Sequence, residues 1–255
     1  MSKRIAIVTG ASGGIGREFT RLMCEEGLDE IWVIARSVDK LTVLKETLGE
    51  KVRVMPADLT DVSEIRKIEQ SLVEEKPELV YLVNNAGMLK MGNAVEDFSV
   101  EDISAMVDLN SKSMALMCKV CRPFLQEGSK IINVASSSAF LPLPYLNIYA
   151  ASKSFARNYS RALNVELKGT GITATAVCPG WVDTPLAPSS FNGKKMNLMC
   201  VVQPKPVAEK ALKAVKKGKD IFVYPFSFKG MHLMAKLFPQ RMAMAIWKWT
   251  IRKNL

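Results

Sequence analysis

Tyr149 and Lys153 stand four residues apart in a stretch of helical periodicity, so both side chains project from one helix face. A free phenol has a pKa of about 10, too high for ready proton exchange at neutral pH. A nearby ammonium group stabilises the phenolate and lowers that value, so Tyr149 could give a proton to a carbonyl oxygen or take one from an alcohol. Taken alone, the pair also reads as a helix-edge tyrosine beside a solvated lysine. A second feature lies upstream, where Gly10, Ser12, Gly13, Gly14, Ile15 and Gly16 join a strand-like run to a helical one. Glycines at such a turn let the backbone approach a pyrophosphate, and the helix N-terminus behind them offers N–H donors and a positive dipole end. At the end of the second strand-like run, an acid would bind the adenosine ribose hydroxyls and repel a 2′-phosphate. Ala35 occupies that place, followed by Arg36 and Ser37, a guanidinium fork and a hydroxyl suited to a phosphate. The expected cofactor is therefore NADP(H). Arg17, just beyond the glycines, offers a further positive charge.

Elements that could position these groups alternate along the chain. Strand-like runs cover 4–9, 31–35, 52–56, 79–84, 130–135, 172–177 and 221–224. Helical stretches between them include 14–26, 61–75, 99–126, 147–168 and 206–217. Near-continuous apolar strands, each followed by a helix, predict an α/β fold with a parallel, doubly wound sheet covered on both faces. Ligands of such sheets bind at the carboxyl ends of the strands.

The glycine spacing, the Asn84-Asn85-Ala86-Gly87 turn after the fourth run and the Tyr149/Lys153 pair together resemble the short-chain dehydrogenase/reductase family over about residues 4–225. The resemblance implies a Rossmann-type sheet of seven strands in the order 3-2-1-4-5-6-7, with residues 1–225 as the catalytic domain and 226–255 as its C-terminal extension. It also implies a catalytic serine at Ser136, whose hydroxyl would bind the substrate oxygen as charge develops, and a proton-relay asparagine at Asn110. Further cofactor contacts carried over by resemblance are Asp58 and Leu59 at the adenine, and Asn85, Ala86 and Gly87 at the ribose. Pro179, Gly180, Val182 and Thr184 would meet the nicotinamide carboxamide. The implied chemistry is hydride transfer between nicotinamide and a carbonyl carbon.

The segment 139–145, the loop 186–203 with Phe191, Met196, Leu198, Met199, Val201 and Val202, and Met88 with Leu89 are largely apolar. They suit a hydrophobic ketone or alcohol, of hydroxysteroid, bile-acid, fatty acyl or retinoid type. Two rival readings stand beside this one. The first is a 3-oxoacyl reductase acting on carrier-protein or CoA thioesters. The second is a non-catalytic NADPH-binding regulator or membrane-surface protein, against which the intact Asn110, Ser136, Tyr149 and Lys153 weigh.

The 255-residue chain carries a net charge of +10, and all of it resides in residues 205–255, where 12 basic groups face only Glu209 and Asp220. No reading helix or stacking platform suggests a nucleic-acid partner. A single histidine, His232, argues against a Ser-His-Asp hydrolase or a histidine metal site, and no metal is expected. Cys118 and Cys121 lie in a helical pattern without a second pair, so they are expected as buried thiols. With no secretory pattern, a cytoplasmic protein is expected; a homodimer or homotetramer is a separate expectation. The tail beyond residue 225 places Met231, Leu233, Met234, Leu237 and Phe238 at helical spacing, and the pattern resumes over 242–251 with Trp247 and Trp249. It could dock on a partner subunit, cover the substrate entrance, or lie on an anionic membrane surface.

Overall fold

The computed structural model describes residues 2–92, 95–191, 193–198, 200–230, 233 and 239–253. The expected tail positions Met231, His232, Met234, Leu237 and Phe238, and Met199 of the apolar loop, lie outside the described residues. Apart from a two-stranded hairpin at Ser190–Phe191 and Lys194–Lys195, the strands are β1 (Arg4–Thr9), β2 (Glu30–Ala35), β3 (Val52–Pro56), β4 (Glu78–Asn84), β5 (Leu125–Val134), β6 (Thr173–Pro179) and β7 (Ile221–Tyr224). The helices are α1 (Gly14–Cys24), α2 (Val38–Leu48), α3 (Val62–Glu75), α4 (Val100–Val107), α5 (Ser113–Cys121), α6 (Asn147–Glu166), α7 (Pro204–Lys216) and α8 (Gln240–Lys253). The strands form one sheet in the order β3-β2-β1-β4-β5-β6-β7, with every neighbouring pair parallel. This is the doubly wound α/β architecture, in the strand order that the family resemblance implies.

Both faces of the sheet are buried, which is why its strands read as unbroken apolar runs. Along β1, Ala6 and Val8 face one layer, built with Phe19 and Met23 of α1, Leu41 of α2 and Ala211 and Val215 of α7. Ile5 and Ile7 face the other, with Ile65, Ile68 and Leu72 of α3 and Met117 and Cys121 of α5. Each fully buried Ile or Leu in these layers contributes about 1.5–3 kcal/mol. The chain runs outward through β1, β2 and β3, then returns to place β4 on the other side of β1. A crevice opens where the direction reverses, at the carboxyl ends of β1 and β4.

Two stretches differ from the sequence pattern. Residues 99–126, expected as one helix, divide into α4, a π-helical turn at Asp108–Lys112, α5 and a 3₁₀ turn at Arg122–Phe124. The helix opens where the Asn110 side chain is pulled inward to bond the Met88 backbone and the Ser152 hydroxyl. β5 starts at Leu125 rather than Lys130, and its register against β4 shifts between Leu79 and Tyr81. Ser129, in this irregular start, donates its hydroxyl to the Leu79 carbonyl at 2.8 Å. Helix α2 is only weakly marked by apolar periodicity, because Leu41 and Leu44 are its two buried positions.

Candidate active site

The turn after β1 is shaped by contacts that only glycine tolerates. Gly10 (φ 62°) and Gly14 (φ 53°) adopt left-handed backbone. A Cβ on Gly16 would stand 2.2 Å from the Gly10 carbonyl oxygen, and one on Gly14 would stand 2.9 Å from the Thr184 methyl. Gly13 instead faces open space, and no side chain caps the α1 N-terminus that it begins. No acid occupies the first turn of α1 either. The free N–H groups and positive dipole end therefore point at a cavity of about 530 Å³ lined by Gly10, Ser12, Gly13, Gly14 and Ile15. A pyrophosphate group fits this cradle, since a Cβ would fill it and a capping carboxylate would repel it.

The same cavity reaches Ser136, Tyr149 and Lys153. Helix α6 brings the last two together, burying Tyr149, Ala150, Ser152, Lys153, Ala156 and Ser160 at three- and four-residue spacing. It is pinned to the sheet by a buried chain of amides: Asn84 donates to Asn133 at 2.9 Å, and Asn133 donates to Ser160 at 2.9 Å. The Lys153 ammonium lies 5.9 Å from the centre of the Tyr149 ring and donates to the Val134 carbonyl at 2.9 Å. Burial pulls the Lys153 amine down to about 8, with Cys178 opposing weakly. Burial pushes the Tyr149 phenol up to about 12, while a hydrogen bond from Ser136 works the other way. The expectation of a lowered phenol pKa is corrected for the chain alone: the cost of burying a phenolate exceeds the help of its neighbours.

Ser136, two residues beyond β5 in extended backbone, accepts from the Ser138 N–H at 3.1 Å, starting the 3₁₀ turn Ser137–Phe140. Asn110 stands one layer behind the cavity. Its Oδ1 accepts from the Met88 N–H at 2.8 Å, and its Nδ2 donates to the Met88 carbonyl at 2.9 Å and to Ser152 at 3.0 Å. Gly87 is the spacer between them: a Cβ there would come within 3.1 Å of the Asn110 Oδ1 and 3.2 Å of the Lys153 Nζ.

Of the other expected cofactor residues, Arg36, Asn85, Ala86, Gly87, Pro179, Gly180, Val182 and Thr184 line the cavity. Four stand outside its wall. Gly16 packs under Gly10, and Ser37 uses its hydroxyl to cap α2 through the Lys40 N–H at 3.4 Å. Asp58 turns its carboxylate onto Thr60, at 2.9 Å from the backbone and 2.8 Å from the hydroxyl. Leu59 is buried in the hydrophobic layer beneath. The structure adds Lys40, which reaches the cavity beside Arg36 from the first turn of α2. Its signal in the sequence was a second cation four residues beyond Arg36. Arg17 instead borders a smaller neighbouring depression that Lys40 also touches.

The far wall is apolar, with Met88, Leu89, Leu143, Leu146, Trp181, Leu186, Phe228 and Trp247. Phe191 and Met196, expected at the substrate, instead pack in a cluster with Ile251 of α8, and Trp247 packs against it. The Trp247 indole donates to the Pro144 carbonyl at 2.9 Å, so α8 contributes to the wall of the cleft. Trp181 and Phe228 were missed because no local pattern tells which aromatic the fold will carry to a cavity, while Trp247 stood in the tail for which covering the substrate entrance was one of three readings.

The family model for short chain dehydrogenases matches residues 4–195. An uncharacterised oxidoreductase of Staphylococcus aureus is 30% identical over 226 residues, covering 88% of this chain and 95% of its own. Among solved structures, an actinorhodin polyketide ketoreductase with NADPH is 28% identical at a TM-score of 0.77, covering 89% of this chain and 99% of that one. The bulky-bulky ketone specific alcohol dehydrogenase from Comamonas testosteroni is 25% identical at a TM-score of 0.75, covering 91% and 92%.

Proposed function

The chain belongs to the short-chain dehydrogenase family, oxidoreductases that interconvert CH–OH and C=O groups, and on that premise we propose that it is an NADP(H)-dependent reductase of hydrophobic ketones. The observation that carries this reading is the shared cavity. Its floor is the uncapped glycine turn, one end holds Arg36 and Lys40, and the other holds Ser136, Tyr149 and Lys153 under an apolar wall. Arg36 and Lys40 would hold a 2′-phosphate, and the α1 N-terminus would hold the pyrophosphate. When bound, the cofactor supplies or accepts the hydride.

The proton is the protein's task. Tyr149, kept protonated by burial, donates its phenolic proton to the carbonyl oxygen as that oxygen gains charge. Ser136 donates a second hydrogen bond to the same oxygen, and the Lys153 ammonium stabilises the phenolate left behind. Asn110 holds the Met88 backbone that follows Gly87, and so fixes the wall facing Lys153. The apolar wall selects a bulky, water-poor substrate of steroid, bile-acid or acyl-ketone type.

The test is a screen of NADPH oxidation over steroids, bile acids, acyl ketones, acyl-carrier thioesters and small aldehydes. The best substrate is expected among the hydrophobic ketones. Tyr149→Phe should lower its turnover about 10²–10⁴-fold while leaving NADPH binding intact. Turnover preserved in that variant would remove the tyrosine from the reaction. Exchanging Arg36 and Lys40 for Ala should weaken NADPH binding about 10–100-fold and NADH binding little. Equal losses for both cofactors would sink the phosphate assignment.

A further inference from the structure

Helix α8 carries two apolar stripes, one turned inward and one exposed. Ala243, Trp247 and Ile251 face inward and pack around the cleft. Met242, Ala245, Ile246 and Trp249 fall on the opposite face at helical spacing, and all four are exposed, Met242 and Ile246 at 51% and Trp249 at 63%. An outer helix face normally carries the charges of a solvated surface. Here Arg241 and Lys248 border the stripe, and residues 221–255 contain no acidic side chain. The chain leading to α8 exposes Phe226 at 78% and Leu233 at 58%, with the Lys229 ammonium 5.1 Å from the centre of the Phe226 ring.

We propose that this outer face of α8 docks the protein on an anionic lipid surface, with the helix lying in the plane of the interface. The occupant follows from charge. Residues 221–255 hold six basic groups and no acid, so a second copy seated face to face would oppose like charges. An anionic bilayer complements them, accepts the apolar stripe, and suits the amphipathic tryptophan and the snorkelling Lys and Arg at its edge. Because the inner face of the same helix lines the cavity through Trp247, docking brings a wall of the cleft to the lipid boundary. The docking itself is independent of which substrate the cleft takes.

The experiment is co-sedimentation of the full chain with vesicles of phosphatidylcholine alone or of equimolar phosphatidylcholine and phosphatidylglycerol. The wild type should sediment with the phosphatidylglycerol vesicles, release as salt rises, and ignore pure phosphatidylcholine. Met242→Glu combined with Ile246→Glu should cut that binding at least about tenfold. Lys229→Glu combined with Lys248→Glu, which leaves the apolar stripe untouched, should do likewise. Circular dichroism and NADPH oxidation with a water-soluble ketone should match the wild type in both. A wild type that stays in solution with phosphatidylglycerol vesicles overturns the proposal, as do variants that bind as well as it does. A smaller particle for the Met242/Ile246 variant by light scattering also overturns it, because the face would then join copies of this chain.

Discussion

At the scale of single residues, burial governs the titrating pair. Lys153 and Tyr149 are shifted in opposite directions by the same cause, because water that would stabilise either charge is excluded. The sign of the pH response follows. Lys153 is an ammonium below about 8 and loses its proton as the pH rises through that value. Tyr149, held to about 12, remains a proton donor throughout. The kcat/KM for ketone reduction should therefore be level on the acid side of this value and fall on the alkaline side. A profile that stays flat across it would show that the lysine charge plays no part in the step. Gly87 belongs to the same scale, since a side chain there would crowd both Asn110 and Lys153.

At the scale of elements, the glycine turn and α8 work from opposite sides of the cavity. The turn is rigid because backbone touches backbone. Gly16→Ala would force a Cβ to 2.2 Å from the Gly10 carbonyl, a contact that no side-chain motion relieves. The cost is expected at about 1–3 kcal/mol, read as a lowered Tm together with weakened cofactor binding. An unchanged Tm would mean that the turn shifts freely. Helix α8 meets the rest of the fold through side chains, among them Trp247 on Pro144 and Ile251 in a cluster with Phe191 and Met196. Trp247→Ala should leave the main sheet intact and raise the KM for bulky ketones several-fold, about 1 kcal/mol of lost apolar contact. The KM for a small aldehyde should barely move. Equal effects on both would place Trp247 outside the substrate's reach.

At the scale of the whole molecule, the parallel sheet and its two covering layers hold the two ends of one cavity at fixed separation. β1 and β4 deliver the glycine turn and the Asn84–Gly87 turn, while β5 and α6 deliver Ser136, Tyr149 and Lys153. The charge is divided differently, with the basic excess confined to the last fifth of the chain. None of the described helices is long and apolar enough to cross a membrane.

The sequence by itself determined the parallel sheet, the glycine turn and the Tyr149/Lys153 pair. Apolar runs, glycines at a strand end and a four-residue helical spacing are local features, written in consecutive residues. Family resemblance added the strand order and pointed to Ser136 and Asn110. Only the tertiary structure decided which aromatics line the cavity, why Lys40 rather than Ser37 faces it beside Arg36, and which way the phenol shifts. Each of these depends on what a distant element packs against it. Trp247 reaches the cleft because α8 packs against the Pro144 segment, and Tyr149 is raised because its surroundings exclude water. Burial is a property of the assembled chain, and no window of sequence contains it.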